Sequence, residues 1–342
     1  MKIAQLAPLT ERVPPVMYGG TEQVVGYLTE ALIDLGHELT LFASGDSVTR
    51  AQLVPGSKSS LRLRGKTVKD PVARHVAMLG KLLKNRKQYD LIHFHIDYLH
   101  LPILRQLAVP TLTTMHGRLD LPELQAVLQQ FPSAPLVSIS NAQREPLGWA
   151  NWMGTVYHGL PEDELIFRSN SEDYLAFLGR ICPEKGLDRA IEIARKAGIP
   201  LKVAAKVDSA DRDYFQSVIK PLLRQPYLDF IGEIGQEEKS AFLGGARALL
   251  FPIDWPEPFG LVMIEALACG TPVIAFDHGS VREIIEDGRS GYIVNDLPSA
   301  IEAVQKIDRL DRAACRQSFL ERFTSRRMAE NYTTLYEKLT TR

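Results

Sequence analysis

The chain has 342 residues, of which 45% are hydrophobic and 24% charged. That size and balance suit a soluble globular protein of about two domains and exclude a disordered chain. Its 40 Lys and Arg against 41 Asp and Glu leave a net charge of −1, without the basic excess of a dedicated nucleic-acid binder. Cys182, Cys269 and Cys315 are too few and too scattered for a disulfide framework or a zinc site, and they fit a reducing compartment. The opening MKIAQLAPLT has an apolar run broken by Gln5, unlike a secretory signal. The charge-free stretch 124–143 is rich in Gln, Pro and Ser and too polar to span a bilayer. The expected location is therefore cytoplasmic.

In chain order, residues 3–7 (IAQLA) predict a short strand and Gly19-Gly20 a turn. Thr21 is then placed to cap a helix in which Val24, Val25, Leu28, Leu32 and Leu35 recur at helical spacing up to Gly36. Further strands are expected at 38–43, 90–95, 110–115 and 135–139. The polar segment 158–173 marks a domain boundary near residue 161. A second cycle follows: strand 174–178, helix 186–198, strand 201–205, helix 211–224, strand 228–232, helix 236–245, strand 248–252, helix 260–269 and strand 272–276. Continuous apolar strands alternating with helices predict α/β architecture, with two doubly wound parallel sheets. Ligands of such sheets bind beyond the carboxyl ends of the strands, often at helix N-termini.

Four segments after predicted strands carry chemistry. In FPIDWPEPFGLVMIEALACG (251–270), Glu257 precedes a helix and Glu265 lies within it. The free N–H groups at Gly260 and Leu261 suit a phosphate. The same spacing also fits an ordinary strand–loop–helix with two solvated glutamates. In GRICPEKG (179–186), Arg180 and Lys185 can neutralise a diphosphate, or can simply be solvated surface cations. Gly19-Gly20-Thr21 permits close backbone approach to a phosphate or sugar but lacks the G-x-G-x-x-G pattern of a dinucleotide site. His116 in TMHGRLD can bond a sugar hydroxyl, act as acid or base, or be structural. The nearby His93, His95, Asp97 and His100 suit acceptor contacts or core packing better than a metal.

Together these segments resemble the retaining glycosyltransferases of the GT-B fold, family 4, over nearly the whole chain. The resemblance rests on GGTEQVVGYL, T-x-H-G, GRICPEKGLDRAIEIA and EPFGLVMIEALACGTPVIA with its E-x7-E spacing. It extends to small bacterial members that glycosylate secondary metabolites, orthosomycin antibiotics among them, or extracellular polysaccharides. It implies two Rossmann-like domains facing a cleft. The acceptor domain would comprise residues 1–161 plus 325–342, because the last helix of such proteins often crosses back. Met328, Tyr332, Leu335 and Leu339 give that helix one apolar face. The donor domain would comprise 162–324.

The resemblance also implies roles. Glu257 contacts the transferred sugar, Glu265 holds the ribose hydroxyls, and Arg180 and Lys185 clamp the diphosphate. Gly19 and Gly20 approach the donor phosphate, Phe259, Gly260 and Leu261 form the helix start, Ile234 meets the base, and His116 lies on the acceptor side. The chain departs from the family's glycine-rich turn after the second donor-domain strand, where Lys206 stands as a third cation or a solvated lysine.

The implied reaction is transfer from a nucleotide diphosphate sugar, UDP-linked by family frequency, to a hydroxyl of a small-molecule, oligosaccharide or lipid-linked acceptor. Fixed cations and a helix N-terminus would stabilise the leaving group, so no metal or cofactor is expected. Asp211-Arg212-Asp213 reads as helix-start acids rather than a metal motif. From Lys58 to Lys87 there are ten Lys/Arg and one acid, and Val72, Val76, Leu79, Leu82 and Leu83 make an apolar stripe. This stripe suits the domain core or weak peripheral contact with an anionic membrane. The rival functions are a nucleotide-sugar epimerase on a similar fold, a nicotinamide-dependent dehydrogenase and a silent sugar-binding protein.

Overall fold

A computed structural model of the chain describes residues 1–17, 19–65 and 68–341. It divides into two units, Met1–Pro161 with Thr324–Arg342 and Glu162–Phe323. The first unit holds strands β1 (Lys2–Leu6), β2 (Glu38–Ser44), β3 (Gln52–Ser57), β4 (Leu91–Phe94), β5 (Thr111–Thr114), β6 (Leu136–Ser138) and β7 (Trp152–Thr155). They form one parallel sheet in the order β3-β2-β1-β4-β5-β6-β7. Its longer helices are α1 (Gly20–Asp34), α2 (Pro71–Asn85) and α3 (Pro122–Gln130). Leu6, Phe42 and Phe94 of the sheet pack with Met78, Leu79 and Leu82 of α2 in a fully apolar cluster.

The second unit holds β8 (Leu175–Arg180), β9 (Leu201–Lys206), β10 (Leu228–Gly232), β11 (Ala248–Phe251), β12 (Val273–Phe276) and β13 (Gly291–Val294). Its order is β10-β9-β8-β11-β12-β13, again all parallel. Its longer helices include α4 (Leu187–Ala197), α5 (Gln236–Gly245), α6 (Leu261–Ala268), α7 (Leu297–Lys306) and α8 (Arg312–Arg322). Both sheets reverse their winding beside their first strand, at β1/β4 and at β8/β11. At such a reversal the connecting loops diverge to opposite faces and leave a crevice at the strand carboxyl ends. These are two doubly wound, Rossmann-like α/β units.

A final helix, α9 (Ser325–Thr340), belongs to the first unit. Met328, Ala329, Tyr332, Leu335 and Tyr336 form its buried face. The Tyr336 hydroxyl lies 2.7 Å from His93 Nδ1 and the Tyr332 hydroxyl 2.8 Å from Thr114 Oγ1, so two long-range polar contacts tie this helix to β4 and β5. Its entry is fixed by the Ser325 N–H donating to the Leu160 carbonyl at 2.7 Å.

Four local expectations need correction. Thr21 does not cap α1: the helix starts at Gly20 and its cap is Gly19, which has no side chain to bond the first turn. The helix expected at 211–224 runs without a gap over 212–222 but is not uniform, passing through Arg212–Tyr214, a π turn Phe215–Ile219 and Lys220–Leu222. Pro221 explains the widened turn, since its ring excludes the carbonyl four residues back and it donates no N–H. On α2 the buried face is His75, Met78, Leu79 and Leu82, whereas Val72 and Val76 stay exposed. The His75 ring, which accepts the Leu9 N–H at 3.1 Å, rotates the inward face away from the two valines. Lys66, part of the basic stretch, lies outside the described residues. Finally β3, β7 and β13 were not expected. All three are edge strands.

Candidate functional site

In the second unit Arg180, Lys185 and Glu257 lie at the end of β8 or on the segments that follow β8 and β11, the strands of the reversal. Arg180 is the last residue of β8, and Lys185 ends the short turn Pro183–Lys185 that follows. The loop after β11 carries Trp255 and Glu257. Lys185 Nζ is hydrogen-bonded to Glu257 Oε2, and the Trp255 indole N–H donates to the same oxygen at 3.0 Å. Lys185 Nζ also lies 5.2 Å from the Trp255 ring centre, within cation–π range. Glu257 is 8% exposed, so this carboxylate is held by both a cation and an indole.

The turn between Glu257 and α6 depends on Gly260, which takes φ 77°. A Cβ there would sit in left-handed backbone and 2.8 Å from Met263 Cε. Phe259 is buried and its carbonyl accepts the Ser280 hydroxyl at 2.8 Å. Leu261 opens α6, and Glu265 lies just over one turn in. Glu265 is 3% exposed and bonds Lys239 Nζ of α5 through Oε1 at 2.6 Å. Ile234, also buried, leads into α5.

The cations expected to clamp a diphosphate are paired with carboxylates. Arg180 lies 3.5 Å from Glu184, 3.6 Å from Asp211 and 4.0 Å from Asp208. Lys206, the last residue of β9, lies 2.7 Å from Asp208. Asp208 thus faces two cations, Arg180 and Lys206. Asp211, read from the sequence as a helix-start acid, is one of the partners of Arg180.

In the first unit Gly19 and Gly20 begin α1. Gly19 has extended backbone (φ 171°), and its requirement is space, since a Cβ would lie 2.9 Å from Pro15 Cβ. Glu22 on the first turn is buried and accepts the Glu11 N–H at 3.1 Å, which pins the loop before the helix. Burial raises its carboxyl above the ordinary range.

His116 follows β5. Its Nε2 lies 2.9 Å from His95 Nδ1, and its ring stacks on His158 at 5.2 Å. His93 lies 4.0 Å from His95, ring to ring. Desolvation brings His100 and His116 down to about 3 and pushes His93, His95 and His158 well below the ordinary imidazole value. All five are therefore neutral at pH 7. One proton lies between His95 and His116. Among the described residues the buried atoms at their far ends, His95 Nε2 and His116 Nδ1, have no hydrogen-bond partner, so one of them is a donor and the other an acceptor. His100 is apart from this group: it stacks on Phe94 at 3.7 Å and bonds Thr113 at 2.8 Å. Asp97 takes a left-handed φ of 50°, uncommon for a residue with a side chain.

Reading the sequence missed Gly279 and Ser280. Gly279 takes φ 58°, and a Cβ there would be 2.4 Å from the Glu257 backbone N and O. The Ser280 N–H donates to the Glu257 carbonyl at 3.0 Å. A Gly-Ser pair just after a predicted strand was the available signal. Lys239 was missed because nothing near it in sequence marks it.

The family model for Glycosyl transferases group 1 matches residues 162–318, and that for Glycosyltransferase Family 4 matches residues 18–152. A Mycobacterium tuberculosis phosphatidyl-myo-inositol mannosyltransferase is 26% identical over 91% of this chain and 86% of its own length. An uncharacterized 41.2 kDa protein from the cps region of Klebsiella pneumoniae is 28% identical over 48% of this chain, which spans about half (46%) of that protein. Among solved structures, AviGT4, a glycosyltransferase involved in avilamycin A biosynthesis, aligns with TM-score 0.77 and 23% identity over 100% of this chain and 98% of its own. Anabaena Alr3699/HepE in complex with UDP aligns with TM-score 0.75 and 16% identity over 99% and 100%. With family models matching residues 18–152 and 162–318 and solved glycosyltransferases aligning over the whole chain, the chain belongs to the family 4 glycosyltransferases and has the GT-B fold.

Proposed function

We infer that this glycosyltransferase moves a sugar, with retained anomeric configuration, from a UDP-linked donor to a hydroxyl of a small-molecule, oligosaccharide or lipid-linked acceptor. The observation that carries the reading is the β8/β11 reversal of the second unit. There Lys185 is bonded to Glu257 in the loop before α6, Arg180 ends β8 just ahead of the turn that carries Lys185, and Glu265 sits buried one turn into α6. Residues 162–323 are the donor side. Glu257 contacts the transferred sugar, Glu265 the ribose, Ile234 the base, and Gly260 and Leu261 offer backbone N–H groups to phosphate. The first unit is the acceptor side, with His116, while its Gly19-Gly20 turn keeps the donor-phosphate role that the resemblance implies. UDP bound to the HepE neighbour supports the choice of nucleotide.

As the anomeric C–O bond to the diphosphate breaks, negative charge grows on the leaving oxygen. Arg180, Lys185, Lys206 and the α6 N-terminus stabilise it electrostatically, so neither metal nor cofactor is invoked. That phosphate oxygen takes the acceptor proton while the acceptor oxygen bonds the anomeric carbon on the same face. Trapping a glycosyl adduct on Glu257 would overturn this front-face route. Full activity in excess EDTA is expected.

The test is calorimetric titration with a panel of nucleoside diphosphates, followed by product analysis with donor alone. No binding tighter than millimolar would sink the reading, and an isomerised donor sugar would favour the epimerase. Weak anionic-membrane contact through 58–87 is supported by Leu63, Val72 and Val76, exposed at 73%, 51% and 60%, beside Arg62 and Arg74. Liposome sedimentation independent of anionic lipid would remove it. Among the described residues, no helix is long and apolar enough to cross a membrane.

A further inference from the structure

The Lys239–Glu265 pair is unusual for its burial. The two side chains are 15% and 4% exposed, and Nζ lies 2.6 Å from Oε1. Desolvating two charges is costly, and an apolar pair of the same size would join two helices as well or better. The pair is therefore better explained by a need for the carboxylate than by stability. Glu265 uses only Oε1 toward the protein. Among the described residues Oε2 has no hydrogen-bond partner, yet it is not one of the sealed, unpartnered buried atoms. A carboxylate with one oxygen anchored and the other open is oriented to accept from a diol.

Lys239 is also placed to couple two parts of the site. It lies on the second turn of α5, whose start is fixed by the Gly235 N–H donating to Glu238 at 2.9 Å. Ile234 immediately precedes that start. The residue read as the base contact and the lysine holding Glu265 thus belong to one short rigid element.

We propose that Lys239 is a positioning residue for the donor nucleotide: it fixes one oxygen of Glu265 so that the other meets the ribose hydroxyls. This rests on the donor-site reading above. Lys239 does not touch the ligand. Its loss frees the Glu265 carboxylate to rotate, which weakens its acceptance from hydroxyls.

The test is calorimetry of the full chain with UDP, GDP and ADP, each beside its 2′-deoxy counterpart. The wild type should prefer the ribonucleotide by roughly tenfold or more, as a site built to bond a hydroxyl does. Lys239→Met should bind the ribonucleotide about tenfold more weakly and the deoxynucleotide nearly as before, so the preference collapses. Lys239→Arg, which keeps the charge, should retain most of it. A Lys239→Met variant that still discriminates as the wild type does overturns the proposal. A wild type that binds without discriminating overturns the ribose role of Glu265, and Lys239's with it. A wild type that binds none of the six overturns the donor-site reading itself. If Lys239→Met does not fold, Lys239→Met/Glu265→Gln removes the unpaired buried charge. It should bind the ribonucleotides and deoxynucleotides alike, and retained discrimination overturns the proposal.

Discussion

Acid should unfold the first unit well before its carboxylates are protonated. His100 is fully buried, and its pKa is held at about 3 against an ordinary value of 6.5. The unfolded chain therefore binds a proton in the range where the folded chain does not. A depressed pKa of this kind gives stability that is present above about pH 6.5 and is lost as the pH falls toward 3. Between pH 7 and pH 5 the loss from one such site is about 2 kcal/mol. His116, also held at about 3, adds a similar loss. Against a typical domain stability of about 5–15 kcal/mol, two such sites move a substantial fraction of the total.

Tryptophan fluorescence can isolate the effect. The tryptophans are Trp149, Trp152 and Trp255, and the first two lie in the first unit. In a Trp255→Phe background, urea unfolding at pH 7, 6 and 5 should show the midpoint falling with pH. His100→Gln keeps a donor toward Thr113 but cannot titrate. It should lower stability at pH 7, yet reduce the difference between pH 7 and pH 5 by about 2 kcal/mol. A midpoint that does not move with pH, or a difference unchanged by His100→Gln, would refute the reasoning.

Other outcomes follow from the second unit. Glu257→Ala should abolish transfer, measured as product from donor and acceptor, while nucleotide affinity changes only a few-fold. Equal turnover would remove Glu257 from the chemistry. Asp208→Asn should tighten binding of nucleoside diphosphates, because the carboxylate it removes lies 2.7 Å from Lys206 and 4.0 Å from Arg180. Weaker binding in calorimetry would show that Asp208 helps the ligand rather than competing with it. Gly279→Ala should cost about 1–3 kcal/mol from left-handed strain alone. It should also displace the Glu257 loop, seen as lost activity together with a lower unfolding midpoint. An active variant of wild-type stability would contradict the close approach.

The central strands of both sheets were legible because each is buried on two faces and reads as a continuous apolar run. The edge strands were not. In β3, QLVPGS, Pro55 and Gly56 read as a turn, and an edge position is where a strand tolerates a proline. β7, WMGT, is only half-buried throughout, so its pattern is weak. At the site, E-x7-E and GRICPEKG could be read because strand, loop and helix follow one another in sequence. The carboxylates around Arg180 come from two places, Glu184 four residues on and the Asp208–Asp211 turn after β9, and nothing near Arg180 in sequence announces the second. The valines of α2 misled for a related reason: helical spacing gives a stripe, but His75 meeting Leu9, 66 residues away, decides which stripe turns inward.

The second unit is one uninterrupted segment, whereas the first is assembled from two pieces separated by 162 residues of intervening chain, 162–323. On a ribosome, the later-made unit therefore has all its parts before the earlier one does. His93 and Thr114 wait for Tyr336 and Tyr332, so until α9 emerges the first sheet presents an uncovered apolar flank and unmet polar groups around β4 and β5. A nascent chain spends its synthesis with that flank open to chaperones or to misassembly. Truncation before residue 324 should therefore damage the half of the protein made first, and leave the half made last intact.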